Sequence, residues 1–530
     1  MELIGTSIIG FRRSTHQGEI LHGFNPATGE RLMPAFYSAG KTEVDQAASL
    51  AAQAFSNYSH ASGHEKADFL RKIAENIEAL GETLFARASR ETGLPPARIQ
   101  SETVRTCNQL RLFADLIEEG SWVDARIDRG DPLRQPVPKP DVRSMLRPLG
   151  PIAVFGSSNF PIAFSVAGGD TASALAAGNP VIVKAHPAHP GTSELTGLAI
   201  RDAARDCKLP EGVFSLLYDA RHEVGTALVK NPNVKAVGFT GSRTGGLALM
   251  AAAQSRPDPI PFYAEMSSIN PVFILPAALR KNMDQIAAGL HASVTQGAGQ
   301  FCTNPGLIVL ADDDSGTRFT EKLKALFASS GEFVMLTPGI CSAYHSSVSR
   351  RTRHPQVETV VQSPVSPSAG VCKSGAALFL TNAQSYLASP ELSAEIFGPA
   401  TLLVTHSNRK ELLDVARNLE GHLTATVHGT TDDLKEFRDL LTILETKAGR
   451  LIFNGFPTGV EVCHAMVHGG PFPATSDGRS TSVGTRAIFR FVRPVCFQNF
   501  PKAALPDELK NNNPLGIWRM LDGVFSKENV

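Results

Sequence analysis

The chain has 530 residues, too many for one hydrophobic core, and roughly 150 residues per domain predicts about three or four domains. Lys plus Arg and Asp plus Glu both number 51, so no basic excess points to nucleic acid or a membrane surface. No apolar run is long enough to span a bilayer, and residues 1–5 lack the features of a signal peptide. None of the seven cysteines has CxxC spacing, which predicts neither a zinc site nor a disulfide framework and indicates the reducing cytoplasm.

The first third of the chain is predicted to be helical and then extended. Apolar residues recur at three- and four-residue spacing over 41–57 and 65–92, and Pro95-Pro96 opens a further segment. Residues 131–148 hold five prolines and several arginines, which predicts an extended arm or a linker.

From residue 151 the pattern alternates between strand and helix. Strands are expected over 152–155, 180–184, 213–217 and 234–240, with helices over 161–177 and 192–206. This rhythm predicts an α/β fold with a parallel sheet, which binds ligands beyond the carboxyl ends of its strands. A second α/β region is expected over about 270–453, and residues 487–495 alternate like a strand with one buried face.

Cys302 is the first candidate for chemistry, because glycine-rich backbone flanks it on both sides. Gly297, Gly299 and Gly306 allow turns that other residues would strain, and they leave room for a ligand beside the sulfur. The alternative for a lone cysteine is an inert, buried side chain whose thiol stays protonated.

Polar residues at the ends of three predicted strands are further candidates. Asn159 follows the strand 152–155 and is either a helix N-cap or an amide donor to an oxyanion. Glu265 ends the strand-like segment 261–265, whose apolar surroundings would raise its pKa and suit a general base; the alternative is a surface carboxylate. The turn 237–246 precedes a helix start that suits a phosphate, but it lacks GxGxxG spacing, and Glu395 is a second carboxylate beside an apolar turn.

Together these residues resemble the aldehyde dehydrogenase superfamily in motif, order and spacing over nearly the whole chain. The carrying motifs are Asn159 in SNFP, Lys184 after VIV, FTGS at 239–242, Glu265, FCTNPG at 301–306, EIFGP at 395–399 and residues 24–30. Within the superfamily, the chain is most similar to 2-oxoglutarate semialdehyde (2,5-dioxopentanoate) dehydrogenases and NADP-dependent fatty aldehyde dehydrogenases. That likeness lies in residues 163–171, 184–192, 264–271 and 468–476.

The resemblance implies a fold and a domain plan. A Rossmann-like cofactor-binding domain would span 1–130 and 149–265, and an α/β catalytic domain 266–465. Residues 131–148 and 480–500 would form a small β oligomerisation arm that pairs across a subunit interface of a homodimer or homotetramer, with 501–530 as a C-terminal tail.

The resemblance also implies the chemistry of the site. The thiolate of Cys302 would attack the aldehyde, Asn159 and the Cys302 N–H would stabilise the oxyanion, and Glu265 would activate the water that hydrolyses the thioester. The cofactor would contact Lys184, Gly241, Ser242, Gly246, Glu395 and Phe397, with no metal involved. Many NAD-preferring relatives carry a glutamate where this chain has Pro187, which favours NADP, with NAD possible. Ser267 and Ser268 replace two glycines that usually follow the base, which puts the cofactor's placement in question.

Several alternatives remain open. The substrate implied is 2,5-dioxopentanoate, and the alternative is a medium- or long-chain fatty aldehyde. A catalytically silent binding protein of the same fold predicts loss of Cys302, Glu265 or Asn159, yet all three are present. A coenzyme-A-acylating enzyme does not need Glu265, and a cysteine hydrolase leaves the nucleotide-type turn unexplained.

Overall fold

The computed structural model describes residues 2–16, 18–366 and 370–530; Met1, Gln17 and residues 367–369 of the predicted domains lie outside it. Its strands are β1 (Ile8–Ile9), β2 (Arg12–Arg13), β3 (Ile20–Asn25), β4 (Glu30–Tyr37), β5 (Arg126–Asp128), β6 (Val142–Pro148), β7 (Ile152–Phe155), β8 (Val181–Lys184), β9 (Phe214–Leu217), β10 (Ala236–Thr240), β11 (Phe262–Glu265), β12 (Val272–Ile274), β13 (Leu307–Ala311), β14 (Phe333–Val334), β15 (Glu358–Gln362), β16 (Lys373–Ser374), β17 (Ala377–Asn382), β18 (Ala400–His406), β19 (His422–His428), β20 (Ala448–Phe453), β21 (Val492–Gln498), β22 (Arg519–Leu521) and β23 (Val524–Ser526).

The helices cover the sheets and include the two long ones predicted near the start of the chain. They are α1 (Lys41–Tyr58), α2 (Gly63–Thr92), α3 (Pro96–Glu119), α4 (Gly169–Ala177), α5 (Pro190–Asp206), α6 (Glu223–Lys230), α7 (Arg243–Gln254), α8 (Pro276–Thr295), α9 (Asp314–Ala328), α10 (Pro338–Thr352), α11 (Ala383–Ala388), α12 (Arg409–Asn418), α13 (Thr431–Glu436) and α14 (Arg438–Glu445).

The first sheet has the predicted parallel, Rossmann-like strands. Its order is β11-β10-β7-β8-β9-β1-β2, and β7 to β11 run parallel. Along β7, Ile152 and Val154 belong to one apolar cluster and Ala153 and Phe155 to another, because side chains alternate between the two covered faces of the sheet.

The register of this sheet brings several predicted site residues to one edge. Phe155 lies opposite Lys184, and Lys184 lies opposite Leu217. At the same end, Thr240 lies opposite Glu265. The carboxyl ends of five strands therefore form one continuous edge, the place where a parallel sheet binds ligands.

A second sheet confirms the second α/β region. Its order is β15-β17-β18-β13-β12-β19-β20, in which only the pair β15–β17 is antiparallel. Strand β11 of the first sheet and β12 of the second are separated by residues 266–271, so Glu265 lies at the junction of the two sheets.

The arm differs from its prediction in three ways. Strand β21 pairs with β6 of the same chain rather than across a subunit interface, and the arm sheet has the order β21-β6-β5-β22-β23. Its strand begins at Val492, because the buried residues Ala487, Ile488 and Phe491 lie on a 3₁₀ turn that packs on α4. The tail also contributes β22 and β23 to this sheet, as does β5 from the region assigned to the cofactor domain.

The helix predicted over 161–177 begins only at Gly169. Residues 161–168 form turns instead, and the N–H groups of Ile162 and Ala163 donate to the Glu102 carboxylate of α3 at 2.9 and 3.0 Å. Glu102 thus satisfies donors that a helix would otherwise direct to its own capping groups.

Within the described residues, none of the helices combines the length and apolar character that crossing a membrane requires.

Candidate active site

Cys302 lies in a loop whose backbone needs glycine. Gly297, Ala298 and Gly299 adopt φ of +56°, +59° and +63° directly after α8 ends. A Cβ on Gly299 would stand 2.2 Å from the carbonyl oxygen of Gly398, so the loop can approach the 395–399 turn only without a side chain there. The loop leaves Cys302 partly accessible.

The thiol of Cys302 contacts an imidazole that also contacts the predicted base. Nε2 of His468 lies 3.4 Å from Sγ of Cys302 and 2.9 Å from Oε1 of Glu265. The other oxygen of Glu265 accepts a hydrogen bond from the Ser482 hydroxyl at 2.7 Å. One nitrogen thus faces both the thiol and the carboxylate, and a proton on Nε2 can be directed to either.

The loop that carries His468 is tied to the strand that carries Glu265. The backbone N–H of His468 donates to Oγ1 of Thr481 at 2.8 Å, and Met266 donates to the carbonyl of Ala474 at 2.7 Å. Glu265 and Thr475 form an antiparallel bridge. These bonds, which are formed by backbone atoms except for the Thr481 hydroxyl, hold the loop of His468 against the strand that carries Glu265.

The contacts set opposite pKa shifts on the two acids. Burial, followed by the negative charge of Glu265, raises the pKa of the Cys302 thiol well above its usual value. Burial also acts to raise the pKa of Glu265, but the charge and hydrogen bond of His468 and the hydrogen bonds from Ser482 and Cys302 outweigh it and lower that pKa. The raised pKa predicted for Glu265 from its apolar neighbours is therefore wrong, because distant polar partners reverse the effect.

His468 is the functional residue that sequence reasoning missed. It appeared only as the first residue of the segment 468–476 that carried the resemblance, and no spacing linked it to Cys302. The one available signal was a histidine followed by two glycines, a sequence typical of tight backbone near a site. The potential ligand atoms of Glu265, Cys302 and His468 all lie within 4.8 Å of one another.

Asn159 lies beside the cysteine loop rather than at a helix start. Its Nδ2 donates to the carbonyl of Gln300 at 2.9 Å, and the side chain is buried. Because no helix begins at residue 161, the N-cap alternative is wrong. The second N–H of the amide is left for another acceptor.

Four of the residues predicted to bind the cofactor, Lys184, Gly241, Ser242 and Gly246, lie at the carboxyl edge of the first sheet or in the helix that follows it, whereas Glu395 and Phe397 lie in the turn before β18 of the second sheet. Ser242 caps α7 by accepting the N–H of Gly245 at 3.2 Å. A Cβ on Gly241 would meet the Phe239 ring at 2.8 Å, and one on Gly246 would meet the Met266 sulfur at 2.7 Å. Glycine is thus required at both positions because the helix start packs closely against Phe239 and Met266.

Two charged residues flank this helix start. Lys184 ends β8 at the same edge, and burial, opposed by Asp219, lowers its pKa. Burial raises the pKa of Glu395 to about 7. Glu395 shares a cavity of ≈ 430 Å³ with Arg243 of α7 and with Ser267. Lys184 does not line this cavity, and Arg243 is paired with Glu420 on its wall; Phe397, in the same turn as Glu395, is half-buried.

The two serines that replace glycines form hydrogen bonds at the sheet junction. Oγ of Ser267 accepts the N–H of Arg243 at 3.4 Å, and Oγ of Ser268 donates to Oδ1 of Asn270 at 2.9 Å. Ser268 also accepts the N–H of Leu423 from β19 at 3.0 Å. The hydroxyls therefore link α7 and the second sheet to the segment after Glu265.

The fold and this site define an oxidoreductase of the aldehyde dehydrogenase class. The model of the aldehyde dehydrogenase family matches residues 11–471, and the chain belongs to that family, whose members use NAD or NADP.

Two curated relatives match over their full length. The chain is 50% identical over 524 residues to alpha-ketoglutaric semialdehyde dehydrogenase 2 of Azospirillum brasilense, covering 99% of each chain. It is 44% identical over 525 residues to alpha-ketoglutaric semialdehyde dehydrogenase of Acinetobacter baylyi, again covering 99% of each. Among solved structures, 1-pyrroline-5-carboxylate dehydrogenase from Thermus with bound NAD shares the fold, with a TM-score of 0.78, 20% identity and coverage of 93% and 92%.

Proposed function

We propose that the protein oxidises 2,5-dioxopentanoate (2-oxoglutarate semialdehyde) to 2-oxoglutarate through a thioester on Cys302. The observation that carries the proposal is the contact of the Cys302 thiol with His468 and, through it, with Glu265. The names of the two full-length relatives supply the substrate.

The first step requires a base, because the raised pKa of Cys302 keeps its thiol protonated near neutral pH. The carboxylate of Glu265, to which the Cys302 thiol donates a hydrogen bond, accepts that proton as the sulfur attacks the aldehyde. Nε2 of His468 keeps its own proton, which it donates to the Glu265 carboxylate 2.9 Å away, and it lies 3.4 Å from the sulfur, where the same N–H stabilises the thiolate. His468 thus positions the base and the thiol, a role that the chain's motifs alone do not reveal.

The oxyanion formed by this attack needs donors. The free N–H of the Asn159 amide and the backbone N–H of Cys302 fill that role, and one such donor typically lowers the barrier by roughly 3 kcal/mol. The bond from Asn159 to Gln300 fixes the amide before substrate arrives. The nicotinamide cofactor, when bound, supplies the hydride acceptor.

Hydrolysis of the thioester then requires a water to lose its proton. The lowered pKa keeps Glu265 ionised at neutral pH. Its carboxylate and the Cys302 thiol both contact Nε2 of His468, so the base lies close to the thioester. This pairing supports release of a free acid rather than transfer to coenzyme A, which would need no such base.

For the cofactor, we propose binding by Lys184, Gly241, Ser242, Gly246, Glu395 and Phe397 with a preference for NADP. Residue 187, three positions after Lys184, is an exposed proline, so no carboxylate at this position repels a 2′-phosphate. The nearby Asp219 carboxylate is occupied by the N–H groups of Arg221 and Gly225 at 3.0 Å each.

We also propose a homodimer or homotetramer that assembles through the arm sheet. Strand β21 is an edge strand of that sheet, and exposed edges invite pairing with another chain. Large apolar side chains on the arm and tail are exposed, including Phe500, Trp518 and Phe525. A cytoplasmic location remains a prediction from the low cysteine content.

The substrate assignment predicts a larger kcat/KM for 2,5-dioxopentanoate than for hexanal, with either NADP or NAD. Steady-state rates of cofactor reduction with both aldehydes provide the measurement, and a Cys302→Ala variant gives the background. Activity restricted to hexanal would overturn the assignment in favour of a fatty aldehyde dehydrogenase.

The cofactor assignment predicts that Pro187→Glu lowers kcat/KM for NADP relative to NAD by roughly tenfold, since the new carboxylate repels the 2′-phosphate by about 1.4 kcal/mol. Pro187→Ala, which removes the ring without adding charge, is the matched control. Equal ratios in wild type and Pro187→Glu would show that residue 187 does not face the adenosine end.

The assembly predicts a species larger than the 56.6 kDa chain in sedimentation velocity at micromolar concentration. An aspartate at Val495, in the middle of β21, should shift the distribution toward monomer by placing charge in the interface. A wild-type protein that sediments as a monomer would contradict the proposal.

A further inference from the structure

Arg105 on α3 carries a buried guanidinium with unfilled hydrogen-bonding capacity. Its Nε donates to the carbonyl of Val460 at 3.4 Å, while both terminal nitrogens are buried and find no acceptor among the described residues. Buried guanidinium groups are nearly always bonded to carbonyls or anions, because an unmet donor loses its hydration without compensation. An acceptor from outside the chain is therefore expected at this position.

The guanidinium lies one aromatic ring away from the reactive cluster. It stacks over the Phe164 ring at 5.1 Å, and the centroid of that ring lies 5.9 Å from that of His468. His468 in turn contacts the thiol of Cys302. Burial lowers the pKa of Arg105, and the charges of Glu102 and then Cys302 oppose that shift, which places the sulfur within electrostatic range.

Glu102, the nearest carboxylate on the same helix, does not accept a hydrogen bond from the terminal nitrogens of Arg105. Oε1 of Glu102 accepts the N–H groups of Ile162 and Ala163, and its Oε2 lies 3.4 Å from Arg98. Arg98 itself stacks over the Phe160 and Phe301 rings at 4.5 and 4.9 Å. Two arginines, Arg98 and Arg105, and the aromatic rings on which they stack thus lie beside the cysteine loop, and the carboxylate of Glu102 already has other partners. The charge of Glu461 also acts on Arg105, but Glu461 is exposed to solvent.

A third arginine near the thiol, Arg450, has a different role. Both terminal nitrogens of Arg450 donate to carbonyls, those of Pro457 and Gly459, so its side chain holds the loop that carries Val460. Arg105 differs because its terminal nitrogens remain available.

We propose that Arg105 binds the carboxylate at the far end of the aldehyde substrate, so that the site selects short semialdehydes that carry an acid group. The proposal rests on the proposed function and names the subsite that recognises the acid. A planar guanidinium offers two parallel N–H groups to a carboxylate.

The length of the substrate matches this arrangement. In 2,5-dioxopentanoate, four carbon–carbon bonds separate the aldehyde carbon from the carboxylate carbon, and in the structure the Phe164 ring, 5.1 Å from the guanidinium and 5.9 Å from the His468 ring, lies between Arg105 and the reactive cluster. A long-chain aldehyde in the same channel would leave the guanidinium desolvated and unpaired, so Arg105 also acts against apolar substrates.

The test compares Arg105→Met with wild type on 2,5-dioxopentanoate and on pentanal, which has the same length without the acid. The ratio of the two kcat/KM values should fall by roughly 10- to 150-fold, as expected for loss of a hydrogen-bonded charged partner. Arg105→Lys keeps the charge but loses the paired N–H geometry, so its ratio of kcat/KM values should lie between those of wild type and Arg105→Met. Arg111→Gln on the same helix, where Arg111 pairs with Glu78 at 2.7 Å, is the matched control. A loss of equal size on both substrates would overturn the proposal and assign Arg105 to support of the Val460 loop.

A further comparison separates this proposal from the identity of the substrate. If wild type rejects 2,5-dioxopentanoate but oxidises succinate semialdehyde, the proposed substrate is wrong. The subsite is still supported in that case if Arg105→Met lowers kcat/KM for succinate semialdehyde but not for pentanal. If Arg105→Met does not fold, inhibition of the wild-type enzyme provides the test instead. Glutarate should compete with pentanal and neutral glutaramide should not; equal inhibition by both would contradict the proposal.

Discussion

A single nitrogen, Nε2 of His468, lies between the thiol of Cys302 and the carboxylate of Glu265, and the chemistry of the site depends on it. Burial makes the thiol a poor nucleophile on its own, because it raises the pKa of Cys302. The same burial acts to raise the pKa of Glu265, but the charge and hydrogen bond of His468 and the hydrogen bonds from Ser482 and Cys302 outweigh it and lower that pKa. One imidazole thus links a partly accessible thiol to a buried carboxylate.

The surrounding fold supports this contact in several places. The parallel sheet places Lys184 and Glu265 at one edge, the edge where we propose that the cofactor binds. Phe164 lies next to His468, and Arg105 stacks on Phe164, where we propose that the acid end of the substrate binds. In the cysteine loop, the glycine at 299 permits the close approach to residue 398.

The sequence predicted those parts of the fold and site that depend on local patterns. The parallel strands and the positions of Cys302 and Asn159 follow from buried runs that end in polar turns. His468 was not predictable this way, because it meets Glu265 across 203 residues of chain through a loop without regular structure. For the same reason the local apolar surroundings gave the wrong pKa direction for Glu265. The lack of acceptors for the terminal nitrogens of Arg105 among the described residues likewise becomes visible only when α3 and the loop at Val460 are placed together.

The rate at which iodoacetamide alkylates Cys302, followed by mass spectrometry as a function of pH, tests the central contact most directly. His468→Ala should slow alkylation at pH 7 by roughly 10-fold, as expected for loss of a hydrogen bond to a charged group, and shift the rise in rate to higher pH. Wild-type protein should react at lower pH than the variant does. Superimposable profiles would contradict the account, because they would show that the N–H of His468 does not stabilise the thiolate.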